Sequence, residues 1–318
     1  MKGKTFSVLG KWILAVLIIA MIVVAFFGYQ IYRLASPQKT VEPVSPEKFL
    51  LSFYEIDFPS ADGLALTGWF IPGVKKGPAL ILCHKLGGSK ASLINLAVPL
   101  QMEGYNIFLF DFRNSGESRG KLSSFGILEA RDVIGAVDFV MNRNDIDQSK
   151  IGLYGVEMGA YAAALGAVER KNIKAIALDS AYPDIRFFFT RQLFDDSPSG
   201  RKYLSFIPLF VYSAYFRVDP REQSVTEAVK KLADRNLLFI VGMGDREMME
   251  STRQLYKSVS ESKDSDKNLL ELPRSLSSEL YGEDKKSYDE KILSFFKTYL
   301  PVEKKHPVFE SIKRPTRK

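Results

Sequence analysis

Two carboxylates stand in the kind of glycine-bounded sequence that can present a reactive group on a tight turn. Glu157 lies between glycines in Gly155-Val156-Glu157-Met158-Gly159, and Asp245 follows Gly244 directly after an apolar run. A carboxylate so placed can attack an electrophilic carbon to form an ester, or can divide acid and base work with a second carboxylate. Breaking an ester intermediate needs activated water, and histidine is the usual activating base. The chain has only two histidines, His84 and His306, and one cysteine, Cys83. A lone cysteine makes no intrachain disulfide, and with two distant histidines it makes no zinc set, so neither a metal nor a cofactor is expected. Asp245 also has a plain structural reading, as a side chain that bonds loop backbone. Cys83, on an apolar run, reads as a small core residue.

These residues fall at the ends of alternating strand-like and helix-like segments. FYEIDF (53–58) and LALTGWFI (64–71) flank Asp62-Gly63 and predict an antiparallel hairpin. Buried strands are expected at 79–84, 106–111, 150–154, 173–179, 237–242 and 268–272, with helices near 91–103, 126–142, 158–170, 246–260 and 285–299. Nearly continuous apolar strands alternating with amphipathic helices imply an α/β fold, a mainly parallel sheet covered on both faces. Residues 182–235 interrupt the rhythm and are rich in phenylalanine and tyrosine. Such an insertion can form a small helical cap over the carboxyl ends of the strands, where ligands bind, or its rings can simply pack it onto the domain.

Taken in order, four landmarks resemble the α/β-hydrolase superfamily, in particular its serine-aminopeptidase and prolyl-oligopeptidase-like hydrolases. His84-Lys85-Leu86-Gly87-Gly88 is similar to the family's oxyanion loop, and Asp111-Phe112-Arg113-Asn114-Ser115-Gly116-Glu117-Ser118-Arg119-Gly120 to its D-x-R-G-x-G-x-S-x-G turn. Gly155 to Gly159 sits where the nucleophile elbow belongs, and Gly244-Asp245 where the acid belongs. The resemblance spans about residues 53–300. It implies that Glu157 occupies the nucleophile position, that Ser277 in Pro273-Arg274-Ser275-Leu276-Ser277 occupies the histidine position, and that Asp245 alone survives from the triad. It further implies backbone oxyanion donors at Leu86 and Met158, with Lys85 in place of the expected glycine, and a turn-stabilising role for Asp111 with Arg113. A carboxylate at the elbow excludes the ordinary serine mechanism there. Lys85 and Glu157 lie on neighbouring loops in the family layout, so an ion pair between them is expected to fill the former active site. His84 reads as a hydrogen-bonding structural residue rather than a base.

Charge and hydropathy place the rest of the chain. There are 44 Lys and Arg against 37 Asp and Glu in 318 residues, a net +7. The excess belongs to residues 1–11, with Lys2, Lys4 and Lys11, and to the basic tail 301–318; the stretch between is neutral. A nucleic-acid groove therefore has no support. Residues 12–32 hold an uncharged run, WILAVLIIAMIVVAFFGY, long enough to span a bilayer, and are expected to form an uncleaved transmembrane signal anchor rather than a signal peptide. The lysines before it favour a cytoplasmic N-terminus and an extracytoplasmic domain. Residues 33–50, with three prolines, read as a linker to a domain at 51–300. The expectation is a membrane-anchored pseudohydrolase that binds or scaffolds, with a small apolar ligand or a protein as partner. The alternative is an unconventional hydrolase of ester, peptide, carbon–halogen or epoxide bonds using Glu157 and Asp245.

Overall fold

Eight apolar runs become eight strands of one sheet, and the loops that join them bring the chemistry-bearing residues to one edge. The structure, a computed structural model, describes residues 8–40, 42–194, 205–260, 266–273, 280 and 282–303. The strands are β1 (Tyr54–Pro59), β2 (Ala65–Ile71), β3 (Gly77–Cys83), β4 (Asn106–Phe110), β5 (Ile146–Val156), β6 (Ile173–Asp179), β7 (Asn236–Gly242) and β8 (Lys267–Leu272). Their order across the sheet is β1-β2-β4-β3-β5-β6-β7-β8. The β1–β2 hairpin is antiparallel, β2 runs antiparallel to β4, and β3 to β8 are parallel.

The two-residue period of a strand sends alternate side chains to opposite faces, and here both faces are covered. Leu80, Leu82, Tyr154 and Val156 pack beneath α2 (Ile94–Met102) and α9 (Gly282–Tyr299), whose Leu100, Ile292 and Phe296 share that cluster. Ala79, Ile81, Cys83, Ile151 and Leu153 pack beneath α3 (Glu129–Met141), α4 (Met158–Val168) and α8 (Arg246–Lys257), through Val133, Val137, Tyr161 and Leu255. Parallel β3–β8 thus run as a buried hydrophobic slab, with their carboxyl ends left for the loops.

The insertion between β6 and β7 carries three short helices among its described residues, α5 (Ile185–Leu193), α6 (Phe206–Phe216) and α7 (Val225–Lys231). Asp184 caps α5 by accepting the Phe187 N–H at 2.8 Å, and Ser224 caps α7 through the Glu227 N–H. Many of the insertion's rings are structural. Phe188, Phe189, Tyr212 and Phe216 surround Phe125, and the Tyr212 hydroxyl donates to the Ser124 carbonyl at 2.7 Å. Phe206, Phe210 and Tyr215 instead face outward.

Ahead of the sheet, α1 (Val8–Ala35) contains a stretch, Gly10–Ala35, that is long and apolar enough to cross a membrane. The segment that follows differs from the extended linker expected over 33–50. Helix α1 continues to Ala35, a 3-10 turn forms at Pro46–Phe49, and Val44 and Phe49 pack against the core. Apolar side chains at intervals along that segment find the sheet's flank, so it is tied down rather than free.

Two buried ion-pair systems fasten the loop after β4, and Asp111 and Arg113 hold that turn through separate partners. Asp111 accepts the Lys90 N–H and Lys90 Nζ, both at 2.7 Å, and the Glu117 N–H at 3.0 Å. Gly116, at φ +44°, is required there because a Cβ would sit 2.2 Å from Asp111 Oδ2. Arg113 instead pairs with Asp132 of α3 and with Asp62 of the hairpin turn, drawing the three segments together. Lys90 is 5% exposed and Asp111 fully buried, so removing one partner strands a charge in the core. Lys90→Met is expected to cost about 3 kcal/mol of unfolding free energy. Glu117→Gln, at the exposed end of the same lysine, is expected to cost less than about 1 kcal/mol. Chemical denaturation of the two variants in parallel measures both; equal losses would contradict the assignment.

Candidate functional site

The turn from β5 into α4 places Glu157 at φ 50° and ψ −113°, a conformation that ordinary residues adopt only under constraint. The constraint is steric. A Cβ on Gly155 would meet the Gly159 carbonyl oxygen at 2.5 Å, and one on Gly159 would meet the Cys83 carbonyl oxygen at 2.2 Å. The first turn of α4 therefore lies directly against the ends of β3 and β5, and the residue between the glycines is thrust outward. Hydrogen bonds hold it: the Glu157 N–H donates to the Asp179 carbonyl at 2.8 Å, and its own carbonyl accepts the Tyr161 N–H at 2.9 Å. Such backbone costs of order 1–3 kcal/mol and persists where its surroundings over-determine it.

Glu157 looks into a cavity of about 240 Å³ at the carboxyl ends of β5, β6 and β7. Ser180, Tyr182, Asp245 and Met248 form walls, and Phe187, Phe188, Arg191 and Gln192 of α5 form the roof. The structure thus brings Glu157 and Asp245 to one pocket. Asp245 is fully engaged: Arg191 grips its carboxylate at both oxygens, at 2.7 and 2.5 Å, and the Met248 N–H donates to it at 3.0 Å at the start of α8. Burial works against the ionised form, but Arg191 and the backbone donors outweigh it and hold the Asp245 carboxyl below its usual range. Arg191 also senses the charge of Glu157. The ion pair expected between Lys85 and Glu157 does not form: among the described residues, Lys85 has no carboxylate within 4.0 Å. Its φ is not positive either, the left-handed position of that loop being Gly87, so the lysine is tolerated without strain.

Lys85, Leu86 and Met158 are not among the pocket's walls. Met158 is buried with its sulfur beside the Ser123 hydroxyl at 3.3 Å, and Leu86 packs on the core. The chain after α1 runs past this loop. The Ala35 carbonyl accepts from Asn114 Nδ2 at 3.2 Å and from the Ser123 N–H at 2.8 Å, and Lys39 Nζ donates to the Ser118 carbonyl at 2.6 Å. Ser277 and His306 lie outside the described residues. His84 is a structural bridge between loops. Its Nε2 accepts the Phe112 N–H at 3.1 Å, which leaves Nδ1 as the donor to the Lys85 carbonyl at 2.7 Å, and burial pushes its pKa down. Burial likewise pushes the Cys83 thiol up, as suits an inert core residue. Among the described residues, no group of three His, Cys, Asp or Glu could hold a metal.

Sequence reasoning passes over two residues that shape this site. Arg191 carries no sequence signal, because only folding brings α5 over the end of β7. Asp179, the last residue of an apolar strand, is visible as a lone acid at a strand's carboxyl end. It lies buried beneath the elbow and accepts from the Ser180 hydroxyl at 2.9 Å and from the Tyr288 hydroxyl, which also bonds Tyr154 at 2.7 Å. Burial, with the nearby Glu157 adding to it against these hydrogen bonds, raises the Asp179 carboxyl to about 6. Its folded pKa is thus above its unfolded one, so the stability it lends is complete below about pH 4 and is lost as pH rises through about 6. That loss is of order 3 kcal/mol. In Asp179→Asn the corresponding decline between pH 4 and 7 is expected to vanish; urea titrations across that range that fall in parallel for both proteins would contradict it.

Comparison with known proteins agrees with this arrangement. The α/β hydrolase fold family matches residues 78–246, from β3 through the start of α8. The uncharacterized protein YfhR of Escherichia coli O157:H7 is 28% identical over 204 residues, covering 60% of this chain and 67% of its own. The α/β hydrolase domain-containing protein WAV2 of Arabidopsis thaliana is 24% identical over 281 residues, 83% of this chain and 84% of its own. Among solved structures, the Pyrococcus furiosus esterase Pf2001 is similar in fold, with a TM-score of 0.66 and 21% identity, covering 84% of this chain and 98% of that one. With the family's region, its strand order and its strained elbow all present, the chain belongs to the α/β-hydrolase fold family.

Proposed function

We propose that this protein is a catalytically inactive, membrane-anchored α/β-hydrolase that uses the pocket beneath α5 for binding or scaffolding. The observation that carries this reading is the bidentate pair between Arg191 and Asp245. In a working triad the acid orients a histidine, and the histidine takes the nucleophile's proton. Here the acid's oxygens are given to a guanidinium on the cap, and the elbow presents a carboxylate that has no hydroxyl to offer. Neither histidine of the chain supplies the missing base: His84 spends both ring nitrogens on backbone, and His306 belongs to the basic C-terminal tail. Ser277 is the position at which that base was lost. The pocket's size and its mixture of Tyr182, Phe187, Phe188 and Met248 with three charged groups suit a small, partly apolar ligand.

The anchor reading rests on α1, whose uncharged run follows Lys2, Lys4 and Lys11. By the positive-inside rule the N-terminus is cytoplasmic and the domain extracytoplasmic. A membrane-impermeant maleimide is expected to label Lys286→Cys, on the exposed side of α9, in intact cells; labelling only after permeabilisation would invert the topology.

For the loss of chemistry, the test is restoration. Full-length protein and its Glu157→Ser, Ser277→His, Arg191→Met triple variant are treated with a fluorophosphonate probe. Labelling at position 157 of the variant alone is expected, because the strained turn is still built and the acid is released from Arg191. Labelling of the unaltered protein at any residue in the pocket would overturn the reading in favour of a hydrolase.

A further inference from the structure

Helix α6 is apolar on every side, which a helix at the surface of a water-soluble domain is not. Its sequence, FIPLFVYSAYF, holds no charge and a single serine. One side is accounted for: Pro208, Val211 and Tyr212 are buried against the cap and the core. The other is open, with Phe206 64% exposed, Phe210 67% and Tyr215 50%. Phe206, Phe210 and Ala214 recur every fourth residue, so they form one continuous outward stripe.

What covers that stripe follows from where α6 sits. The last turns of α1 are built into the domain, with Phe27, Ile31 and Ala35 buried and Val23 packed on the core, and they lie against α6 so closely that Gly28 approaches Val211. The part of α1 that stands clear of the domain, residues 12–22, is about 16 Å long at 1.5 Å per residue. A bilayer's hydrocarbon core is about 30 Å thick. The free part is therefore too short to span it alone, and the docked turns, together with the helix packed on them, must reach the membrane. We infer that α6 is a second membrane contact, its Phe206–Phe210–Tyr215 face lying in the interfacial layer of the bilayer that α1 crosses. The inference rests on the anchor reading above and extends it to the cap. Tyr29 and Tyr32 of α1, both exposed, are of the aromatic type that interfaces favour, and a cation stands at the C-terminal end of each helix, Arg33 in the last turn of α1 and Arg217 at the end of α6. Because α5 rests on α6 through Phe189 and Tyr212, whose rings are 5.5 Å apart, the pocket's roof is held to the membrane plane as well.

The test is a depth measurement on the full chain in nanodiscs of zwitterionic and anionic phospholipid. Nitroxide labels are placed one at a time at Phe210→Cys, Phe206→Cys, Val16→Cys within α1 and Lys286→Cys on α9; the native Cys83 is fully buried and is left in place. Collisions with oxygen report hydrocarbon, and collisions with a neutral nickel chelate report water. The expected result is an oxygen-to-nickel ratio at positions 206 and 210 severalfold above that at 286 and below that at 16. A ratio at 206 and 210 equal to that at 286, with position 16 in hydrocarbon, would overturn the inference and leave the anchor intact. Labels at 206 and 210 shielded from both reagents would overturn it in favour of a protein partner. Water-like behaviour at position 16 would refute the anchor itself, and with it the inference that rests on it.

Discussion

The close approach of α4 to the ends of β3 and β5 is the constraint on which the rest of the site depends. It leaves no room for a Cβ at Gly155 or Gly159, and it forces the intervening turn into positive φ whatever side chain it carries. The turn is thus a property of the sheet and helix packing rather than of catalysis. The strained turn is therefore built whether position 157 carries a serine or a glutamate. A glutamate bears the same backbone cost that a serine would, and the hydrogen bonds to Asp179 and from Tyr161 do not depend on the side chain.

Charge redistribution follows from the same turn. A carboxylate lifted over the sheet beside Asp179 puts like charges close together, and the structure answers in two ways. Asp179, whose carboxyl is raised chiefly by burial and further by Glu157, is held by Tyr288 and Ser180, while Arg191 descends from the cap to meet Asp245 near Glu157. The second device also couples the cap to the body. An ion pair between partly exposed groups contributes little stability in itself, but a bidentate guanidinium fixes orientation, so α5 is registered over the carboxyl ends of β5 to β7. The cap in turn carries α6 onto α1. Elbow, acid, cap and α1 are therefore one chain of contacts.

Much of this was legible in the sequence, for reasons that are local. A two-residue period in the hairpin and near-continuous apolar runs in the other six identified all eight described strands, and amphipathic stretches the helices outside the insertion, because a buried parallel sheet tolerates few other patterns. The elbow glycines and the glycine turn after β4 stood out because their backbones admit little else. Side-chain partnerships were less accessible. Lys85 and Glu157 are neighbours by layout, yet Lys85 makes no ion pair among the described residues and Arg191, 34 residues beyond the elbow, supplies a nearby cation. Asp111 and Arg113 lie two apart on one loop, yet each finds a separate partner, in Lys90 and Asp132, because folding brings those side chains to the loop from the 3-10 turn Lys90–Leu93 and from α3. Residues 33–50 read as a linker because prolines suggest extension, yet the helix continues to Ala35 and Val44 and Phe49 pack against the core.

In the function proposed above, the site's groups are arranged for binding and not for turnover. The most direct measurement is steady-state hydrolysis of short-chain p-nitrophenyl esters by the unaltered full-length protein, across pH 5 to 9 and at enzyme concentrations high enough to see a few turnovers. The account requires a rate indistinguishable from buffer at every pH. A rate that rises with protein concentration and disappears in Glu157→Gln would contradict it and would make the elbow carboxylate a working nucleophile or base.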